Sequence, residues 1–176
     1  MRKRTILFRA DMVRAIFDGR KTQTRRLIKP QPENIHISPE RASVISWVDV
    51  EAHAFDDGAV AYFYYTMGED EDFVCKYGRV GDRLKVSDPM HVPGKGVSLS
   101  NFLVEITEIR VEQLNDIDRG DAMQEGCPFP NMADGPNPRE WFSDLWDSIY
   151  GYGPGSWAEN PWVWVIEFRK LEEGES

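Results

Sequence analysis

Apolar and polar positions switch between helical and strand periods along the chain, and each switch marks an element. Residues 5–9 read as a short strand or extended entry. Behind Asp11, a residue suited to an N-cap, Met12, Val13, Ile16 and Phe17 recur at helical spacing. Gly19 stands where a C-cap glycine belongs, and the run after it reads as extended until Pro30 and Pro32 close it. Residues 42–50 and 59–66 are rich in β-branched and aromatic side chains and flank Asp56-Asp57-Gly58, which predicts a hairpin. The acidic run at 69–72 predicts a solvated loop. A tight turn at 78–82 leads into a strand over 83–87, and the proline- and glycine-bearing stretch 89–100 has no period and predicts a loop. Phe102, Val104 and Ile106 alternate with Leu103, Glu105 and Thr107, the pattern of a strand over 101–114. A short helix over 118–125 is ended by Gly126 and Pro128. An amphipathic helix over 138–150 carries Trp141, Phe142, Leu145, Trp146 and Ile149, and 162–168 reads as a buried strand. Several short strands with few helices and no internal repeat predict an α+β domain on a small twisted or closed sheet.

Length and composition narrow this picture. A chain of 176 residues fits one domain and can bury a real core. We expect a single domain over 1–171 with an insertion at about 30–72, followed by a polar tail at 172–176. No apolar run is long enough to span a bilayer, and Thr5-Ile6-Leu7-Phe8 is too short for the core of a signal peptide. Cys75 and Cys127 are the only cysteines. A chain this long does not need one bridge, so a reducing, cytoplasmic setting is expected. His36, His53 and His91 lie far apart and beside no Cys or acidic ligand at metal spacing, so neither a metal nor another cofactor is expected. Pro93-Gly94-Lys95-Gly96 lacks the upstream glycine and the following hydroxyl of a phosphate loop.

Charge draws attention to the N-terminus. The whole chain is -9, yet residues 1–30 hold ten Lys or Arg against only Asp11 and Asp18. Global acidity argues against coating a polyanion, whereas a local basic segment suits one nucleotide or a short single strand. Within it, Gly19-Arg20-Lys21-Thr22-Gln23-Thr24-Arg25-Arg26 combines an amine, hydroxyls and guanidinium groups at a helix exit. A threonine hydroxyl needs a base to become a nucleophile. A lysine amine can serve if burial or nearby cations keep it neutral, and a carboxylate from elsewhere can handle the proton of a leaving amine. In a regular strand Thr24 and Arg26 share a face and Lys21 points away, so Lys21 must sit in the turn after Gly19. The competing reading is an exposed basic strand paired with acidic loops. Among the six tryptophans, Trp157 stands apart as a loop aromatic suited to face a ligand.

The run Gly-Arg-Lys-Thr-x-Thr-x-Arg after a short helix resembles the signature of the ASCH domain, a relative of the PUA RNA-binding fold. Gly81-Asp82-Arg83-Leu84 resembles that family's turn into a barrel strand. Phe102-Leu103-Val104-Glu105-Ile106-Thr107 resembles its glutamate-bearing strand, and Trp164-Val165-Ile166-Glu167-Phe168 its closing strand. The layout, with Leu145-Trp146-Asp147-Ser148-Ile149 and Gly153-Pro154-Gly155-Ser156-Trp157, is similar to the longer ASCH proteins of phages and prophages over essentially the full chain. Lys85-Val86-Ser87-Asp88 departs from the Trp-x-Arg-Glu segment of the longer relatives, and residues 30–72 have no counterpart in the small ones. The resemblance implies a PUA-like twisted β-barrel with short flanking helices and a cleft beside the basic motif. Small members are amidohydrolases that deacylate N4-acetylcytidine. By position this implies Lys21 as activating base, Thr24 as nucleophile and Glu105 as acid/base, with Arg20, Arg25, Arg26 and Trp157 available to a modified nucleoside or RNA. Two other readings stay open: a non-catalytic binder of RNA or single-stranded nucleic acid, and a phage accessory protein acting through a protein partner.

Overall fold

The computed structural model describes residues 4–32, 50–55, 58–63, 71–87, 102–129 and 135–172. A five-stranded mixed sheet carries the architecture. Its strands are β1 (Arg4–Leu7), β2 (Gln23–Leu27), β6 (Arg83–Ser87), β7 (Leu103–Gln113) and β8 (Trp162–Lys170), in the order β1-β6-β7-β8-β2. β1 runs parallel to β6, and every other pair is antiparallel. A separate antiparallel sheet is formed by β3 (Val50–Phe55), β4 (Gly58–Phe63) and β5 (Glu71–Val74).

The interior strand β8, between β7 and β2, explains the layering. Its run Trp-Val-Trp-Val-Ile-Glu-Phe is apolar on both faces because both faces are covered. Trp164, Ile166 and Phe168 point to one core with Val104, Ile106, Leu84, Val86 and Ile6, covered by Met12, Val13 and Ile16 of α1 (Ala10–Phe17). Val163 and Val165 point to a second core built with Ala122 of α2 (Arg119–Gln124) and Phe142 and Trp146 of α3 (Pro138–Tyr150). Each cluster draws its members from alternate positions of one strand, as the pleat requires.

The helices begin and end on local chemistry. Asp118 caps α2 by accepting from the Asp121 N–H, and Asn137 caps α3 by accepting from the Arg139 N–H ahead of Pro138. Arg9 occupies the N-cap of α1 without a side-chain bond, and Asp11, expected there, lies inside the first turn. Gly19 ends α1 at φ 74° with its N–H on the Ile16 carbonyl, a left-handed residue of the kind glycine supplies cheaply.

The expected α+β fold on a small mixed sheet is present, and the sheet is open rather than closed into a barrel. β1 and β2 are the two outer strands of the large sheet, and no backbone ladder joins them. They nevertheless come within reach of one side chain, because an Arg26 Nη on β2 donates to the Leu7 carbonyl on β1 at 2.7 Å. α1 spans the same gap in sequence, leaving β1 and returning as β2.

Other expectations meet the structure unevenly. The hairpin exists as β3 and β4, with Phe55 opposite Gly58, while residues 42–49 of the expected first strand lie outside the described residues. Glu71 and Asp72, expected in an acidic loop, belong to β5, where an edge position accommodates charge. The loop expected at 89–100 also lies outside the described residues. Cys75 and Cys127 are both free and buried, and burial pushes the Cys75 thiol up to about 11. Among the described residues, no helix is long and apolar enough to cross a membrane.

Ile166 is fully buried at the centre of β8 and Tyr152 is 93% exposed. Ile166→Ala is expected to lower the urea-measured unfolding free energy by about 2–5 kcal/mol, and Tyr152→Ala to change it by no more than about 0.5 kcal/mol.

Candidate functional site

A cavity of about 220 Å³ opens at the gap between the two sheet edges. Leu7 and Phe8 line it from β1 and its exit, Thr24, Arg25 and Arg26 from β2, Lys21 and Glu125 from the segments beside them, and Phe142, Trp146 and Tyr150 from α3. Such a space is smaller than the roughly 300–1,000 Å³ typical of drug-sized ligand sites and suits a single base-sized group.

Lys21 lies just past the turn at Gly19, in a β-bridge rather than in the turn itself. Its backbone N–H still bonds the Ala15 carbonyl of α1, it forms an isolated antiparallel bridge with Glu125, and β2 begins only at Gln23. The side chain turns toward the end of α2, where Arg25, of the same parity, also meets Glu125. Its Nζ donates to Glu125 Oε2 at 2.6 Å and to the Glu125 carbonyl at 2.8 Å, with both side chains only 3% exposed. Gly126 makes the approach feasible: at φ 100° it turns the chain after α2, and a Cβ there would sit 3.1 Å from the Lys21 Cβ. Burial holds the Lys21 amine below the ordinary lysine value. Glu125 opposes that shift, and Arg26 and Arg25 add to it.

Around this pair lies a web of charge. Arg25, whose side chain is fully buried, reaches Asp121 at 2.7 Å, Glu112 at 2.9 Å and Glu125 Oε1 at 3.4 Å. Arg110 of β7 takes up the same acids from the other side, meeting Glu112, Glu167 at 2.6 Å and Asp121 at 3.2 Å. Burial works against the Asp121 charge, yet Arg25 and then Arg110 hold its carboxyl below the usual aspartate range. Gln23 is buried beside Asp121 without a hydrogen bond of good geometry. Arg26 is different: the Leu7 carbonyl and the faces of Phe8 (4.9 Å) and Tyr77 (5.9 Å) hold it rather than a carboxylate.

The structure thus brings Lys21, Thr24, Arg25 and Arg26 around one cavity, and leaves three expected residues elsewhere. Glu105 does not line the cavity. It sits opposite Arg169 on β8 while Thr24 sits opposite Ile166, a three-residue offset that places the two on opposite faces of the sheet. They are also two strands apart, roughly 10 Å, and Glu105 is engaged by Arg83 and Arg169. Trp157 packs edge-on against Phe142 and under Arg139, with its N–H on Asp147, so its loop position does not make it a ligand aromatic. Arg20 lies outside the cavity, between Asp18 and the Gly126 carbonyl.

The carboxylate that meets Lys21 is Glu125, which the sequence reading passed over at the end of a short helix. Its signal was faint: an acid directly before a helix-ending glycine. Of the aromatic lining, Phe142 and Trp146 belong to the apolar face expected of the 138–150 helix, and Phe8 and Tyr150 carried no functional expectation.

No protein family matches the chain by sequence, and no curated protein does. Solved structures do offer similar ones. The chain is similar in fold to an ASCH domain. That structure, from Lactobacillus crispatus, has a TM-score of 0.40 and 14% identity, with 90% of this chain covered and 69% of that one. A protein of the DUF984 family from Enterococcus faecalis is similar at a TM-score of 0.48 and 9% identity, covering 97% of this chain and 82% of that one.

Breaking a buried ion pair from one side strands the other charge, commonly costing about 3–5 kcal/mol. Arg25 remains beside Glu125, so Lys21→Met is expected to cost near the lower end, about 3 kcal/mol. Adding Glu125→Leu should recover most of that loss in chemical denaturation.

Proposed function

We propose that the cavity is the active site of an amidohydrolase that removes an acyl group from the exocyclic amine of a cytosine-like base, as in N4-acetylcytidine. One observation carries the reading: a buried lysine amine with both acceptors on one residue, on a cavity wall shared with a threonine hydroxyl. A neutral amine has two N–H groups and one lone pair. Glu125 Oε2 and the Glu125 carbonyl occupy the two N–H groups, so the lone pair is left to accept a proton. Burial favours that neutral form.

The chemistry then balances on this chain's own groups. Thr24 Oγ1 bonds to the acyl carbon as its proton passes to Lys21, and the carbonyl π pair moves onto oxygen. Arg26, which pairs with no carboxylate among the described residues, is a cation lining the cavity and available to that oxygen. On collapse the C–N bond breaks and Lys21 returns the proton to the leaving nitrogen, freeing the base amine. Water then attacks the acyl carbon as Lys21 again takes a proton, and on collapse the ester C–O bond breaks, the free acid leaves and Lys21 returns the proton to Thr24 Oγ1. Phe142, Trp146 and Tyr150 supply the flat apolar surface that a pyrimidine ring needs.

Internal pairing of the basic segment speaks against the binder reading. Among the described residues, Arg4 pairs with Asp82 and the buried Arg25 with three acids, so these two cations are not offered to a phosphate backbone.

Incubating the protein with N4-acetylcytidine and following cytidine by chromatography tests the proposal. Wild type should release cytidine, Lys21→Met should slow release roughly 10²–10⁴-fold, and Thr24→Ala should abolish it. Release by wild type no faster than by Thr24→Ala overturns the hydrolase reading. Oligonucleotide binding that falls steeply with salt and ignores Thr24→Ala would favour a binding module in its place.

A further inference from the structure

Resting on the amidohydrolase reading, we infer that Arg25 is a positioning residue that fixes the Glu125 carboxylate so that Lys21 can act as a base. The amino-acid sequence groups Arg25 with the cations offered to a ligand, but its surroundings assign it otherwise. Its side chain has no exposure, and its guanidinium is committed to Glu112 on β7 and to Asp121 and Glu125 on α2. Glu125 is therefore gripped at both oxygens, with Oε2 on Lys21 and Oε1 facing Arg25. A carboxylate held only by Lys21 would depend on an ammonium as its counter-ion. With Arg25 at the other oxygen, part of that charge is answered from behind and the amine is under less demand to stay protonated.

Every packed element contributes to this arrangement. Arg110 on β7 shares Glu112 and Asp121 with Arg25 and adds Glu167 from β8, so the acids around Arg25 are themselves held in place. From α3 the Phe142 ring lies 6.0 Å from the Arg25 guanidinium carbon, closing the last side without a further charge. Lys21 and Arg26 flank Arg25 from the segment before β2 and from β2 itself. The route from Arg25 to the reacting atoms thus passes through Glu125 and Lys21.

The test compares Arg25→Met, which keeps length and loses charge, with Arg25→Lys, which keeps charge and loses the fork. Activity needs the neutral amine, so it should rise with pH through the Lys21 titration. Loss of the Arg25 charge removes repulsion on the ammonium and leaves Glu125 to Lys21 alone, so that limb should move to higher pH in Arg25→Met. Near neutral pH, kcat should fall about tenfold or more, the scale seen when an orienting partner is lost, with KM little changed. Arg25→Lys should bring the limb back toward wild type. A loss of activity at all pH values with an unmoved limb, tracking loss of thermal stability, would make Arg25 merely structural and overturn the inference. A second arm does not depend on turnover: NMR titration of lysines carrying ¹³C at Cε, with Lys21 assigned by its loss in Lys21→Met. The Lys21 resonance should titrate at higher pH in Arg25→Met than in wild type. An unchanged titration overturns the inference even where hydrolysis is observed. A changed one sustains the Arg25–Glu125–Lys21 coupling even if N4-acetylcytidine is not hydrolysed.

Discussion

A lysine amine taken out of water must find acceptors nearby, and Lys21 finds two on a single residue, the side-chain and backbone oxygens of Glu125. Much else in the structure serves that contact. The chain leaves α1 through the left-handed Gly19 just before Lys21 bridges to Glu125, and it leaves α2 through Gly126 so that no side chain blocks the approach. The antiparallel bridge between Lys21 and Glu125 and the bond from the Thr22 N–H to the Gln124 carbonyl stitch two segments a hundred residues apart. A buried ion pair contributes little net stability against an apolar alternative, so its presence beside an open cavity points to use rather than to folding.

The open sheet gives that contact its access to solvent. A closed barrel would seal β1 against β2 with a ladder. Here a side chain, Arg26, bridges to the Leu7 carbonyl, and space remains between the edges. Because β2 is an outer strand, groups on both of its faces reach the cavity: Thr24 and Arg26 from the α1 side, Arg25 with Phe142 and Trp146 from the α3 side. Arg25 and Arg110 then fasten α2, which carries Glu125 at its end, to β2, β7 and β8.

Much of the scaffold was legible in the chain, and the reason is local. α3 over Pro138–Tyr150, β6 over Arg83–Ser87 and the buried β8 follow from a helical period, a glycine turn and an apolar run respectively. What escaped depended on distance through space. Glu105 and Glu125 both precede apolar or turn signals, and only the register of β7 against β8 and the docking of α2 decide which one faces Lys21. Likewise, nothing in a helical stripe distinguishes Phe142 and Trp146 as cavity wall from core, since they are both. Trp157 misled for the converse reason: a glycine-rich loop can fold back and pack its aromatic on the helix it follows.

Trapping the covalent intermediate tests the account most directly. Protein mixed with N4-acetylcytidine, quenched in acid within the first turnovers and digested for mass spectrometry should carry the acyl group on Thr24, and Glu125→Gln should lower the rate at which it accumulates. An acyl group found on Lys21, or cytidine released with no acyl-protein formed at any time, would contradict a threonine nucleophile served by a neutral lysine at the sheet's open edge.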